Sequence, residues 1–308
     1  NKYKGEKNNL VETNESVRYR EIGTLVYWFR LIEKNAPWVR KIFFVTEGHY
    51  PSWLNLKHPK LVHVRHEDYI NKKYLPVFSS HPIEINIHKI PGLSKRFVYF
   101  NDDMFILKKT PKEMFFDKSG LPRDSAVLNA ISGDHLAHVV INDVNEINKR
   151  FNKKAVIKEN FLKWFNIKYG AMLLRNILLY PWPGFTGFFD YHLPAPYMKK
   201  TFSEVWKEYP EILEKTCESK FRQSSDINQY MFRYWQLVKG EFSPIAMHRL
   251  GVYKELTKEP GDICDIIENG KYHMICINDT STVNYEESRV KIINAFAKIA
   301  PSKSSFEL

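Results

Sequence analysis

Two short acidic clusters stand directly after apolar runs. Phe97-Val98-Tyr99-Phe100 leads into Asn101-Asp102-Asp103, and Tyr272 to Ile277 leads into Asn278-Asp279. Short apolar runs of this kind read as buried strands, and ligands of open α/β sheets bind just outside strand carboxyl ends. Neighbouring carboxylates there suit a hard divalent cation, Mg²⁺ or Mn²⁺, held partly through substrate phosphates. Successive residues leaving a strand point in opposite directions, so one of Asp102 and Asp103 is expected to ligate directly, together with Asp279. The plainer alternative is that these Asp and Asn residues cap the turns that follow.

Three further groups have types and spacings that suit chemistry. Glu84 and His88 lie at i and i+4, which places them on one face of a short helix, as a carboxylate–imidazole pair that could orient a base or a donor hydroxyl, or as a surface ion pair. His192, in Tyr191-His192-Leu193-Pro194, sits in a Pro-flanked loop where a fixed neutral imidazole would serve as a general base. Arg222 precedes Gln223-Ser224-Ser225-Asp226, and a guanidinium beside a helix N-terminus would hold a phosphate. A solvated Arg beside an N-cap explains the same residues. No Walker loop, GxGxxG, HExxH or GxSxG occurs.

The elements that must position these residues follow from apolar periodicity. Ile22 to Asn35 places Leu25, Trp28, Phe29 and Ile32 at helical spacing, and Pro37 stops it. Ile42 to Val45 and Leu61 to Val64 read as short buried strands. Ser79-Ser80-His81-Pro82 caps a short helix running to Ile90. Ser203 to Cys217 and Ser224 to Lys239 read as two helices, and Glu286 to Ala300 as the last. Alternation of helix and apolar strand over 20–110 predicts a mostly parallel, Rossmann-like or GT-A-like sheet flanked by helices. Residues 1–110 and 240–308 are expected to form the α/β core of a single compound domain. The segment 111–239 is expected to be a mainly helical insertion carrying part of the site.

Composition bounds the class. With 308 residues, 44% hydrophobic and 26% charged, the chain is globular rather than disordered. No apolar run is long enough to span a membrane, and the polar start at Asn1 to Asn9 has no secretory pattern, so a cytoplasmic protein is expected. Cys217, Cys264 and Cys276 are odd in number and far apart, which argues against a disulfide scaffold or a zinc ribbon. The +11 charge favours anionic partners. Between Arg150 and Arg175 seven basic residues meet one acid, Glu159, interleaved with aromatics. That segment suits a polyanionic glycan or the anionic inner surface of the membrane, with a helix covering the sheet as the plainer reading. No nucleic-acid recognition motif accompanies it.

Taken together, these stretches resemble the Stealth family of sugar-phosphate transferases. The resemblance is carried by Glu33 to Ile42, Val45-Thr46, Pro51 to Asn55, His66-Glu67-Asp68, Leu75 to Ser80, Ile83-Glu84, His88 to Ser94 and Phe97 to Phe105, which are similar to the family's second region. His192-Leu193-Pro194, Phe221-Arg222 and Asp226 are similar to the third, and Ile275 to Asp279 to the fourth. The first region, a strand ending in a Trp-Val-Asp-Gly type motif, is not found in the sequence, and the expectation is that one sheet strand and part of the nucleotide site go with it.

The resemblance implies transfer of a sugar-1-phosphate from a nucleotide-activated sugar to a glycan hydroxyl, in capsular or cell-surface polysaccharide synthesis. A phosphodiester forms and a nucleoside monophosphate leaves. It implies Mg²⁺ or Mn²⁺ on Asp102 or Asp103 with Asp279, His192 as base with Asp103 as runner-up, and Arg222 on the diphosphate. Glu84, His88, Asn101, Asp226 and Asn278 are carried over as substrate contacts. The competing reading is a metal-dependent GT-A-type glycosyltransferase, which releases a nucleoside diphosphate instead.

Overall fold

The computed structural model describes residues 22–133, 137–256, 259–279 and 285–308; Asn1 to Asn9 lie outside them. Helix α1 (Leu25–Asn35) precedes strands β1 (Ile42–Thr46) and β2 (Leu61–Arg65), and α2 (Ser80–Ile85) precedes β3 (Arg96–Tyr99), β4 (Met104–Ile106) and β5 (Arg123–Asp124). Helices α3 (Ala137–Arg150), α4 (Lys153–Glu159), α5 (Phe161–Trp164) and α6 (Leu173–Leu179) follow, then β6 (Ala195–Met198), α7 (Lys199–Glu208), α8 (Pro210–Glu218) and α9 (Tyr230–Val238). The remaining elements are β7 (Ser243–Pro244), α10 (Met247–Leu250), β8 (Gly251–Glu255), α11 (Gly261–Asn269), β9 (Met274–Asn278) and α12 (Tyr285–Ile299).

The expected strands form, but not as one mostly parallel sheet. β1 pairs with β2, β8 with β9 and β5 with β7 in parallel, whereas β3 pairs with β6 and β4 with β9 in antiparallel fashion. The result is a mixed α/β architecture of small sheets rather than a clear Rossmann-like or GT-A-like sheet. The physical reason lies at Asn101-Asp102-Asp103. A return to a parallel neighbour takes a crossover of about a dozen residues or more, and the link from β3 to β4 is far too short. β3 and β4 therefore cannot be parallel neighbours, and each is found antiparallel to a strand from a distant part of the chain. β6 belongs to the 111–239 segment, and the core that it helps cover joins Val64, Ile85 and Phe97 to Trp164, Phe202 and Phe232.

Helix boundaries move where local chemistry overrides periodicity. The 203–217 stretch is two helices, because Tyr209 leaves helical geometry at φ −130° and Pro210 opens α8 at its first turn. The second expected helix begins only at Tyr230, with Asp226 drawn back onto the Gln223 amide at 2.9 Å. The helix expected to run through Ile90 stops at Ile85, and a separate 3₁₀ turn covers Ile87–Lys89.

The C-terminal residues clasp α1 to the rest of the fold. Phe306 packs on Phe29, and Glu307 takes a two-point ion pair from Arg30, Nε to Oε1 at 2.9 Å and Nη2 to Oε2 at 2.7 Å. The Arg30 hydrogen bonds, helped by the Ser304 amide and hydroxyl, hold the Glu307 carboxyl down at about 2, against the desolvation that opposes them. A carboxyl held below its ordinary 4.5 adds stability above that value, and the gain is lost as pH falls from there to about 2. Glu307→Gln is expected to cost on the order of 2 kcal/mol at neutral pH and to remove this acid limb. Melting temperature against pH checks it; identical curves for the two proteins would overturn the assignment.

Candidate functional site

Because β4 runs antiparallel to β9, the amino end of β4 lies beside the carboxyl end of β9. The Ile277 amide donates to the Asp103 carbonyl at 2.9 Å, so Asn101-Asp102-Asp103 and Asn278-Asp279 meet at one edge of the β4-β9-β8 sheet. All five residues line a cleft of about 2930 Å³, which β1 and β3 border along their whole length. His192, Arg222 and Glu84 line the same cleft. The convergence of the two acidic strand ends with His192 is the central feature of the site.

Asp103 faces His192 and Cys276, with one ligand atom of each lying within 4.8 Å of the others. The Cys276 thiol donates to Asp103 Oδ2 at 3.2 Å, while Oδ1 is buried with no hydrogen-bond partner. Burial raises the Asp103 pKa; His192 opposes the rise and Asp102 adds to it. Burial first, and then Asp103, push the Cys276 thiol far up, so it stays a protonated donor rather than a thiolate ligand. That leaves Asp103 Oδ1, with Asp102 and Asp279 nearby in the cleft, as the oxygen donors a hard divalent cation would take.

His192 is held in an unusual way. Its φ is +48°, a left-handed conformation that non-glycine residues seldom adopt, and its amide donates to Asp190 Oδ1 at 2.9 Å. Its Nδ1 lies 2.8 Å from the Tyr230 hydroxyl, and Tyr230 is itself hydrogen-bonded to Asp190. Burial, reinforced by Asp190, keeps Tyr230 a neutral phenol. The phenol proton goes to the Asp190 carboxylate, so the phenol oxygen accepts Nδ1–H and the Nε2 lone pair is left for a substrate proton. Tyr253 stands edge-on to the ring at 5.5 Å.

The other sequence candidates divide. Glu84 accepts from the Tyr99 hydroxyl at 2.9 Å, and that hydroxyl also meets the Asn101 side chain, so Glu84, Tyr99 and Asn101 form one polar group at the cleft wall. Arg222 Nη2 donates to Ser80 Oγ at 3.0 Å, but no helix begins beside it, so the expected pairing with helical amides does not form. Asp226 does not line the cleft. It is buried against His81 Nδ1 at 3.1 Å and Ser219 Oγ at 2.8 Å, and so fixes the loop that carries Arg222. His88 does not share a face with Glu84, since the helix ends between them. It packs on Phe202 and Trp206, and burial lowers its pKa to about 4, leaving it neutral at working pH.

The charge of the cleft is opposite to that of the chain. Nine Asp and Glu line it against six Lys and Arg, although the whole chain carries +11. An acidic floor of this kind repels a diphosphate unless a cation stands between them. Tyr230, Asp190 and Cys276 escaped sequence reasoning. The available signal was Asp190 two residues before His192, the spacing at which an Asp side chain caps a following backbone amide.

Residues 18–124 match Stealth protein conserved region 2, and residues 191–236 match conserved region 3. The chain is similar to the capsular polysaccharide phosphotransferase WcwK of Streptococcus pneumoniae, at 44% identity over 99% of this chain and 91% of that protein. It is also similar to the receptor polysaccharide phosphotransferase WefC of Streptococcus gordonii, at 40% identity over 99% of this chain and 92% of the relative. An exopolysaccharide phosphotransferase of Lactiplantibacillus plantarum is 36% identical, over 96% of this chain and 88% of its own length.

Proposed function

The chain belongs to the Stealth family of polysaccharide phosphotransferases, and on that premise we propose that it moves a sugar-1-phosphate from a nucleotide-activated sugar, a UDP-sugar first among them, to a hydroxyl of a glycan acceptor. The product is a phosphodiester within a capsular or cell-surface polysaccharide. One observation carries the reading: a buried carboxylate with a free oxygen, Asp103, faces an oriented imidazole, His192, in a cleft of about 2930 Å³. That is several times the roughly 300–1,000 Å³ of a pocket for one small ligand, and it suits donor and acceptor together.

The chemistry divides among the residues as follows. The acceptor oxygen attacks the phosphorus that bears the sugar. The bond from that phosphorus to the bridging oxygen breaks, and its electron pair leaves with the nucleoside monophosphate. The hydroxyl proton passes to His192 Nε2, with Asp103 as the alternative acceptor. Arg222 offers a permanent charge to the diphosphate, and Glu84, Asn101 and Asn278 contact hydroxyls of the donor. Mg²⁺ or Mn²⁺, held by Asp102 or Asp103 with Asp279, would neutralise the pyrophosphate against the acidic floor.

The nucleotide product tests the reaction class. Incubation with a UDP-sugar and an oligosaccharide acceptor is expected to release UMP. Release of UDP would mean cleavage of the sugar–oxygen bond, as in a GT-A-type glycosyltransferase, and would sink the proposal.

A further inference from the structure

Helix α6 packs Leu173 and Leu179 against the core but leaves its other three aliphatics outside. Asn176, its one fully buried side chain, donates from Nδ2 to the Ala126 carbonyl at 2.7 Å and to the Trp164 carbonyl at 2.6 Å, and accepts the Leu128 amide at 2.6 Å. Leu174, Ile177 and Leu178, at helical i, i+3, i+4 spacing, face outward and are 57%, 53% and 61% exposed. The segment before it is similarly mixed, with Val156, Ile157 and Trp164 in the core. Lys153 is buried, with its ammonium on the Leu179 and Trp182 carbonyls at 2.6 and 2.9 Å, while Leu162 and Ile167 are 78% and 89% exposed. A soluble helix ordinarily turns its aliphatics toward the core, so a segment that buries an amide and an ammonium while leaving Leu162, Ile167, Leu174, Ile177 and Leu178 exposed presents a face suited to surroundings other than water.

The exposed residues form one surface. Phe161 stacks on Phe165 at 4.9 Å and Phe165 meets Tyr180 edge-on at 5.8 Å, which ties α5 to the end of α6. Tyr180 and Trp182 are exposed just after α6, Lys154, Lys158 and Lys168 are exposed in the same stretch of chain, and Glu159 is the one acid in 150–182. Among the described residues no helix is long and apolar enough to cross a membrane. We propose that this face, α5 to Trp182 with the exposed lysines of the same stretch, docks the protein on the surface of an anionic lipid bilayer.

The composition selects that occupant. Protein interfaces are depleted in Lys and draw on Trp, Tyr and Arg as anchors. A face of Leu, Ile and Phe together with Tyr, Trp and Lys is the composition of interfacial membrane-binding helices. A second copy on the same face would oppose Lys154, Lys158 and Lys168 to their own counterparts or near them, with few carboxylates to answer. A glycan polyanion needs a polar groove rather than protruding aliphatics. Met172, just before α6, lines the catalytic cleft, so docking brings the cleft rim close to the lipid surface.

Co-sedimentation of the full chain with vesicles, in the absence of donor and acceptor, tests this independently of the reaction. Binding to vesicles of equal phosphatidylglycerol and phosphatidylcholine is expected, and much weaker binding to pure phosphatidylcholine. Leu162→Gln, Ile167→Gln and Leu178→Gln combined should weaken it by about 10³-fold or more, since each buried aliphatic is worth roughly tenfold or more. Lys154→Gln with Lys158→Gln should cost about 20-fold at low salt, roughly fivefold per lysine, and almost nothing at high salt. These positions are exposed, so the melting temperature should hold; the lysine pair decides the question if the triple variant is unstable. The proposal is overturned if the wild-type protein does not bind anionic vesicles, if it binds both vesicle types equally, or if the lysine pair leaves binding unchanged. It is also overturned if the protein self-associates through this face, shown by the triple variant abolishing dimers while vesicle binding persists.

Discussion

Asp103→Asn is expected to abolish transfer while leaving the protein as stable as before, or more so. The two effects share a cause. Asp103 is a buried carboxylate with one oxygen donated to by Cys276 and the other without a partner, so its charge is held at a desolvation cost that Asp102 increases. Asparagine keeps the shape and removes the charge. Since burial raises the Asp103 pKa in the folded state, the carboxyl favours folding when protonated. That contribution is present below its unfolded value near about 4 and is lost as pH rises through the raised folded value. The variant's margin over wild type should therefore be widest at neutral pH and close in acid. Activity should fall by more than about 10³-fold, because the carboxylate that would hold the cation facing the donor's diphosphate is gone. Transfer assays with Mg²⁺ or Mn²⁺, paired with melting curves across pH, measure both. Activity within about tenfold of wild type would remove Asp103 from the site, and full turnover in excess EDTA would remove the metal role.

How far this site was legible in the sequence follows from what each residue depends on. Asn101 to Asp103 and Asn278-Asp279 could be placed at strand ends because a strand is a local pattern, and β1, β2, β9 and α12 fall close to their apolar runs. Pairing is not local. β3 takes β6 and β4 takes β9, partners from distant parts of the chain that periodicity does not encode. His88 shows the same limit at the level of one side chain. Its spacing from Glu84 assumes a continuous helix, but the helix ends at Ile85 and the imidazole enters an aromatic core. Asp226 was legible as important but not as inward-facing; its partner His81 lies far away in sequence and close in space. Tyr230 carries no signal of its own, since a tyrosine at a helix start reads as core until His192 is set against it.

The histidine can be separated from its support by a pair of substitutions. His192→Ala removes the base but also places at φ +48° a residue that adopts left-handed geometry less readily than histidine, so a loss of activity could be blamed on the loop. His192→Asn is the better variant, because asparagine tolerates left-handed geometry and cannot take a proton at neutral pH. Turnover is expected to fall by about 10²–10⁴-fold with donor affinity nearly unchanged, since a base acts only as the hydroxyl attacks. Tyr230→Phe leaves the imidazole in place but removes the oxygen that accepts Nδ1–H, so the ring can turn or change tautomer. Its loss should be smaller, about tenfold, and should rise when the loop is loosened further by Asp190→Asn. Both proteins should bind a nucleotide sugar as the wild type does, whereas Arg222→Ala should weaken donor binding and rate together. Isothermal titration with the donor and single-turnover rates, read against melting temperature, distinguish these outcomes. If His192→Asn turns over at a near-normal rate, the proton goes elsewhere, and Asp103, within 4.8 Å of the ring nitrogen, becomes the acceptor to test.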